Sequence, residues 1–177
     1  MGRIFRAVPG IPGKNQFQPS VKLRQHTLGI PRGQLHRTAF LRHVTRALTA
    51  AAERPERRFA VMHLDLNRFQ RVNETLGHRR GDELLATAAQ RLDACVRPGD
   101  VVARAAGDDF LVLLNGVHGA AEVMRIAERM ARAMGGGYRL DGQEVFCGAD
   151  VGVVIGGEGH ANAEQVLRDA EVAMARA

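Results

Sequence analysis

The chain has 177 residues, of which 45% are hydrophobic and 25% are charged, so it can form one domain with a sizeable core. No apolar run approaches the roughly 20 residues of a transmembrane helix, so we expect no membrane segment. The net charge of +6 raises the question of nucleic acid, but with only 5% aromatic residues to stack bases we expect no nucleic-acid partner. Cys95 and Cys147 fit no metal or redox spacing, which predicts a reduced, cytoplasmic protein.

The first 22 residues contain glycine, proline, glutamine and asparagine with no regular period, as in Pro9-Gly10-Ile11-Pro12-Gly13. This composition predicts a flexible leader or tag for residues 1–22, and a single domain for residues 23–177. A turn over 29–33 comes next. Apolar residues then recur at helical spacing, which predicts an amphipathic helix from Gln34 to about Glu53.

The apolar run over residues 59–66 predicts a central strand, with Asp65 near its C-terminal end. His63 lies inside this run and is expected to be a packed or edge residue. A short helix stopped by Gly77 follows, and a second helix is predicted from Gly81 to about Val96.

The remaining predicted elements are a hairpin with arms 101–103 and 111–114, a helix over 118–134, a second hairpin whose second arm runs over 145–155, and a final helix over 161–177. These strands are joined both by hairpins and by helical crossovers. Such an order indicates an α+β fold, in which helices pack on a sheet.

Three carboxylates are candidates for a functional site: Asp65 at a strand end, and Asp108 and Asp109 at the tip of the first hairpin. If the strand lies beside this hairpin, the three converge, and adjacent carboxylates that repel each other need a cation. Mg²⁺ suits such a site, because it binds one or two carboxylates together with substrate phosphates. The chemistry indicated is metal-assisted nucleotidyl transfer. The simpler alternative is a solvated turn, where aspartate is common.

Several motifs occur in a fixed order along the chain: Asp65-Leu66-Asn67-Arg68-Phe69, Asn73, Gly81-Asp82, Arg97-x-x-Asp100 and Ala106-Gly107-Asp108-Asp109-Phe110. Together they resemble the GGDEF family of diguanylate cyclases, which join two GTP molecules into cyclic di-GMP. The resemblance begins at about Thr27, where residues 27–31 are similar to the family's entry turn, and extends to Ala177. It implies a ferredoxin-like palm similar to nucleotidyl cyclases: a mostly antiparallel central sheet flanked by helices.

The resemblance implies metal and catalytic roles for the acidic residues. Asp65 and Asp108 match the family's ligands for Mg²⁺ or Mn²⁺, and the Leu66 carbonyl would add a further oxygen. Asp108 and Asp109 match the catalytic positions of the signature motif. Activity in this family implies a homodimer, because two protomers each hold one GTP.

The resemblance also implies a GTP site and a product site. Asn73 and Asp82 match the pair that hydrogen-bonds guanine, whose N1–H and N2–H₂ donors adenine does not offer. Backbone N–H groups from Asn67 to Phe69, at a helix start, would hold the phosphates, and Gly107 belongs to the same GTP site.

The motif Arg97-x-x-Asp100 matches the family's inhibitory site, where an arginine pairs with the phosphate and guanine of the product cyclic di-GMP. The alternative is a turn at the entry of a strand, held by a local ion pair.

Three positions depart from the family pattern. Ala106 replaces the first glycine of the signature, and its methyl group is expected to restrict the backbone and narrow the approach to the nucleotide. Asp109 is one methylene shorter than the usual glutamate, and Gln70 stands where the family usually has a lysine. Two functions therefore remain open: an active diguanylate cyclase, or an inactive degenerate domain that binds GTP or cyclic di-GMP. The second would regulate a partner protein or an attached EAL phosphodiesterase domain following Ala177.

Overall fold

Five helices and eight strands make up the described part of this computed structural model, which comprises residues 4–7, 35–157 and 159–176. The helices are α1 (Arg37–Glu53), α2 (Phe69–Leu76), α3 (His78–Asp93), α4 (Ala120–Met134) and α5 (Ala163–Met174). The strands are β1 (Ile4–Ala7), β2 (Leu35–His36), β3 (Phe59–Leu66), β4 (Val101–Arg104), β5 (Asp109–Asn115), β6 (Tyr138–Leu140), β7 (Gln143–Val145) and β8 (Ala149–Gly156).

Six strands form the main sheet in the order β1-β8-β3-β5-β4-β2. The four central strands pair antiparallel, whereas β1 and β2 add in parallel at the two edges. This confirms the predicted α+β fold with a mostly antiparallel central sheet flanked by helices. Strand β1 lies within the segment predicted as a leader. The rest of that segment and the predicted entry turn over 27–31 lie outside the described residues.

Strand β3 is the centre of the sheet, because it pairs with β5 on one side and with β8 on the other. Its continuous apolar sequence fits this position, since both of its faces are covered. Ala60, Met62 and Leu64 pack in the core under α3 and α4, while Phe59 and Val61 pack in the core under α1 and α5. The strand thus holds its C-terminal end rigidly between two hydrophobic cores.

The predicted second hairpin is wrong in one respect. Strands β6 and β7 form a small sheet of their own, and β8 is a separate strand of the main sheet. The break between β7 and β8 has a physical reason, because Gly148 O accepts a hydrogen bond from Asn67 N–H at 2.9 Å. This bond ties residues 146–148 to the loop that follows β3.

The first residues of α1 and α3 each differ from the prediction by three positions. Residues 35–36 pair with β4, so α1 begins at Arg37 instead of Gln34. Helix α3 begins at His78, three residues before the predicted start, because Gly77 (φ 82°) both ends α2 and begins α3. No helix in the described residues is long and apolar enough to cross a bilayer.

Candidate metal and nucleotide site

Four carboxylates meet at the end of the central strands. Asp65 of β3 is paired in register with Asp109 of β5 and with Asp150 of β8. Residues directly opposite one another on neighbouring strands have their side chains on the same face of the sheet. Asp108 precedes Asp109, and its charge also acts on Asp65. The structure therefore brings together the three predicted carboxylates and adds Asp150. We call these four residues the acidic cluster.

The acidic cluster changes the protonation of its central member. Burial, followed by the charges of Asp108 and Asp109, raises the pKa of Asp65 from 3.8 to about 6. Asp150 contributes a smaller rise, and His63 acts in the opposite direction. The cluster thus carries an excess of negative charge that a bound cation would relieve.

The turn between β4 and β5 holds Asp108 and Asp109 in place. Asp109 N–H donates to Ala106 O at 2.8 Å, and Arg104 Nε donates to Gly107 O at 2.8 Å. Gly107 has φ 52°, a conformation that glycine adopts without strain. Ala106 is not among the described non-glycine residues with positive φ. Ala106 is therefore not strained, because the turn places its left-handed residue one position later. The narrower approach to the nucleotide stays a prediction.

The loop after β3 leads into α2, where the phosphate donors were predicted. Arg68 adopts a left-handed conformation (φ 65°), and α2 begins at Phe69. Asn67 N–H already donates to Gly148 O, and its side-chain amide donates to Asp150 Oδ1 at 3.3 Å. The N–H groups of Arg68 and Phe69 remain as predicted donors, because N–H groups at a helix start have no intrahelical acceptor.

Cys147 also holds the loop between β3 and α2 in place. Its thiol donates to Asn67 O at 2.9 Å. Burial, with the charges of Asp108 and Asp65, raises the pKa of the Cys147 thiol to about 11. The side chain is therefore a neutral donor near the acidic cluster, and it adds no further negative charge.

The predicted guanine pair lies on the α2–α3 unit. The Asn73 side chain packs so closely against Gly81 that a Cβ atom at residue 81 would collide with Asn73 Oδ1. This oxygen is buried, and it has no hydrogen-bond partner among the described residues. Asp82 is exposed, and the same part of the chain offers its carboxylate neither a hydrogen bond nor an ion pair. The Asp82 carboxylate is therefore open to a ligand, whereas Asn73 Oδ1 is covered by Gly81.

His63 lies on β3 two residues before Asp65, next to the acidic cluster. It is 6% exposed, so the expected packing is confirmed, and its Nε2 lies 3.2 Å from Asp109 Oδ1. The angles of this contact do not meet the criteria for a hydrogen bond, so it is a close approach of a nitrogen to a carboxylate oxygen. Sequence reasoning missed this contact and the position of Asp150. The available signal for His63 was a polar residue in an apolar strand, two positions before Asp65.

The predicted product site is a turn with many internal bonds. Asp100 accepts hydrogen bonds from Asn115 N–H at 3.0 Å and from Arg97 N–H at 3.1 Å, and its side chain is 2% exposed. One guanidinium nitrogen of Arg97 donates to the carbonyls of Asn115 and Gly116, at 2.6 and 3.0 Å. These bonds agree with the alternative of a strand-entry turn. The role of the turn in product binding stays a prediction.

A comparison with known proteins decides the family. The sequence matches the family described as "Diguanylate cyclase, GGDEF domain" over residues 34–177. The chain belongs to this GGDEF domain family. Its sequence is 36% identical over 140 residues to the diguanylate cyclase TpbB of Pseudomonas aeruginosa (strain UCBPP-PA14), covering 78% of this chain and 32% of TpbB.

Two further relatives are similar to this GGDEF domain. The bifunctional diguanylate cyclase/cyclic di-GMP phosphodiesterase MucR of Pseudomonas aeruginosa is 36% identical over 124 residues, covering 70% of this chain and 18% of MucR. The crystal structure of the GGDEF domain of TpbB from Pseudomonas aeruginosa superposes with a TM-score of 0.77 at 34% identity. That match covers 81% of this chain and 89% of the crystallised one. The chain therefore spans less than a third of the length of the full curated proteins TpbB and MucR.

The donor set of this GGDEF domain suits a particular kind of metal binding. Asp65 and Asp108 offer carboxylates, and the Leu66 carbonyl is the third predicted oxygen. No group of three or more His, Cys, Asp or Glu side chains within the described ranges forms a complete metal site. Mg²⁺ needs no such site, because it retains water molecules and substrate phosphates beside one or two carboxylates. The residues therefore fit an ion that arrives with a nucleotide.

Proposed function

We propose that this GGDEF domain binds GTP with Mg²⁺ or Mn²⁺ at the acidic cluster and condenses two GTP molecules into cyclic di-GMP. The observation that carries the proposal is the strand register that places Asp65 beside Asp109 and Asp150, where burial and then the neighbouring carboxylates raise the pKa of Asp65 to about 6. A fold that holds uncompensated negative charge in a fixed position supports a cationic ligand at that position. The start of α2, beside the cluster, supplies N–H donors of the kind that bind phosphate.

In this proposal the domain's residues bind, orient and deprotonate the substrate. Asp65 and Asp108 would hold the metal ion, which when bound would neutralise phosphate charge and polarise the α-phosphate. Asp109 accepts the proton of the attacking 3′-hydroxyl. The 3′-oxygen forms a bond to the α-phosphorus of the GTP on a second protomer, and pyrophosphate leaves with the electron pair of the broken P–O bond. A homodimer follows from this requirement for two facing sites.

Guanine selection is assigned to Asn73 and Asp82. The buried Asn73 Oδ1 has no hydrogen-bond partner among the described residues and lies against Gly81, so it meets a ligand only after the side chain rotates. The exposed Asp82 carboxylate can accept two hydrogen bonds side by side. Guanine presents two adjacent donors, N1–H and N2–H₂, and adenine does not. The pair therefore supports GTP as the substrate over ATP.

The product site is assigned to Arg97 and Asp100. Arg97 remains 49% exposed despite its bonds to backbone carbonyls, so part of its guanidinium faces solvent. A guanidinium fork is well suited to a phosphodiester. Cyclic di-GMP is therefore proposed both as the product and as a ligand of this turn.

A second function has support from two specific contacts. Asp109 Oδ1 lies 3.2 Å from the buried His63, which draws the short carboxylate toward the protein interior. The side-chain amide of Gln70 donates a hydrogen bond to Glu74 Oε1 at 3.0 Å. Gln70 is neutral and engaged in this bond, so it does not supply the positive charge that a lysine would bring to the phosphates. A domain of this kind binds GTP or cyclic di-GMP without turnover and regulates a partner or an attached EAL domain.

A cytoplasmic location also stays a prediction, and it is based on the two free cysteines, Cys95 and Cys147.

The test is to incubate the purified protein with GTP and Mg²⁺ and to separate the products by chromatography, with a matched sample in excess chelator. We expect cyclic di-GMP with the metal and none with the chelator. If no product forms at high protein concentration while calorimetry still detects GTP binding, the cyclase proposal is wrong and the binding function is supported. If neither GTP nor cyclic di-GMP binds, both proposals are wrong.

A further inference from the structure

A pocket of about 240 Å³ lies between the turn at residues 97–100 and α4. Its lining residues are Arg97, Asp100, Glu122, Arg125, Ile126 and Arg129. Three guanidinium groups thus face two carboxylates, and the positive excess suits an anionic ligand. We call this the arginine pocket.

Glu122 enters the arginine pocket from the first turn of α4. Its Oε2 accepts a hydrogen bond from His118 N–H at 2.7 Å, which fixes the side chain at the helix start. Its Oε1 lies 3.6 Å from the NH1 nitrogen of Arg97. That distance is too long for a direct hydrogen bond, so the contact is one of charge alone. The Glu122 carboxylate is therefore anchored at one oxygen and faces the guanidinium with the other.

The other contacts of Arg97 explain why the position of the Glu122 carboxylate matters for ligand binding. The NH2 nitrogen of Arg97 is already used by the carbonyls of Asn115 and Gly116. The Nε nitrogen lies 3.8 Å from Asp100 Oδ2, so NH1 is the guanidinium nitrogen that remains for an incoming phosphate. Glu122 occupies the approach to that nitrogen. An anionic ligand of Arg97 must displace this carboxylate or remain beside a like charge.

We propose that Glu122 is an internal competitor, which stands in for the product phosphate at Arg97 and weakens the affinity of the arginine pocket for cyclic di-GMP. This inference rests on the assignment of Arg97 and Asp100 as the product site. It adds a residue that tunes the threshold of product binding. A carboxylate held within a few ångströms of a guanidinium lowers the benefit of bringing a phosphate there, since both anions compete for one cation.

The experiment replaces Glu122 with glutamine and titrates cyclic di-GMP by calorimetry at low salt. Glutamine has the same shape and can still accept from His118 N–H, so the start of α4 keeps its bond. We expect the dissociation constant of Glu122→Gln to fall by about five- to tenfold, since one nearby charge interaction is removed. The difference should shrink at high salt, because exposed charges are then screened.

The matched control is Glu128→Gln, which makes the same change of charge on the same helix. Glu128 pairs loosely with Arg132, at 3.8 Å, and does not line the arginine pocket. Its affinity for cyclic di-GMP should stay within about twofold of the wild type, as for a distant surface charge. If both variants behave alike, or if Glu122→Gln binds no cyclic di-GMP, the inference is wrong. Failure of the cyclase proposal would be visible separately, because it is measured with GTP.

Discussion

Asp65 is half-buried and the Asp100 side chain is almost fully buried, and the surroundings of the two carboxylates differ. Burial is the largest cause that raises the pKa of each. Around Asp65, the next causes are the charges of Asp108 and Asp109, which raise the pKa further. Around Asp100, the next causes are hydrogen bonds from backbone N–H groups, which lower it again. Asp100 is thus satisfied within the fold, whereas Asp65 is left for a ligand to neutralise.

This comparison separates a carboxylate that backbone N–H groups stabilise from one that is surrounded by like charges. The turn at residues 97–100 satisfies its own hydrogen-bonding groups, so its structure is explained without a ligand. A cluster of like charges, held together by strand register, costs stability that the fold recovers only when a cation binds. The predictions below address each part of this contrast.

The largest expected effect is at Asp108. We expect Asp108→Asn to lower the rate of cyclic di-GMP formation by about a thousandfold, because it removes a charged metal ligand. The fold should be unchanged by circular dichroism, since the residue is only half-buried in a turn. Asp141→Asn is the control, because Asp141 also lies in a hairpin turn but pairs with Arg80. Equal rates in the two variants would refute the role of Asp108.

The next effect concerns guanine recognition. Asp82→Ala should weaken GTP binding by about ten- to a hundredfold, as expected for the loss of hydrogen bonds to a charged group. The matched control is Glu83→Ala, which removes the neighbouring acid of α3, a partner of Arg80. GTP titrations by calorimetry give both values. An unchanged affinity in Asp82→Ala would overturn the assignment.

A smaller effect tests the length of the carboxylate at position 109. Asp109→Glu should raise the rate of product formation by about tenfold, because an added methylene extends the carboxylate away from His63 and toward the substrate. Initial rates with GTP and Mg²⁺ measure this. A decrease in rate would mean that Asp109 already has the required length.

The smallest effect is on stability. The pKa of Asp65 is higher in the folded state (about 6) than its usual value of 3.8, so stability is lost as the pH rises through this window. Without metal, Asp65→Asn should therefore melt about 2–4 °C above the wild type near neutral pH. The difference should vanish near pH 4, where the Asp65 carboxyl is protonated in the folded state. Thermal melts in chelator measure it, and a less stable variant at neutral pH would contradict the electrostatic account.

Much of this arrangement could be predicted from local sequence. The apolar run of β3, the stop at Gly77 and the turn at Gly107 each depend on neighbouring residues alone. The position of Asp150 could not be predicted, because it depends on the register between β8 and β3, which are far apart in the chain. The bond from Asn67 N–H to Gly148 O is non-local for the same reason. These two departures from the prediction therefore lie where distant strands meet at the site.

The central claim is that the acidic cluster binds a metal ion together with GTP. A calorimetric titration of GTP, with Mg²⁺ and separately with excess chelator, tests it without requiring turnover. We predict that GTP binds at least about tenfold more tightly with Mg²⁺, because the ion would offset the repulsion between the phosphates and the carboxylates of Asp65 and Asp108. We also predict that the double variant Asp65→Asn with Asp108→Asn loses this dependence. Equal GTP affinity of the wild-type protein with and without Mg²⁺ would contradict the account.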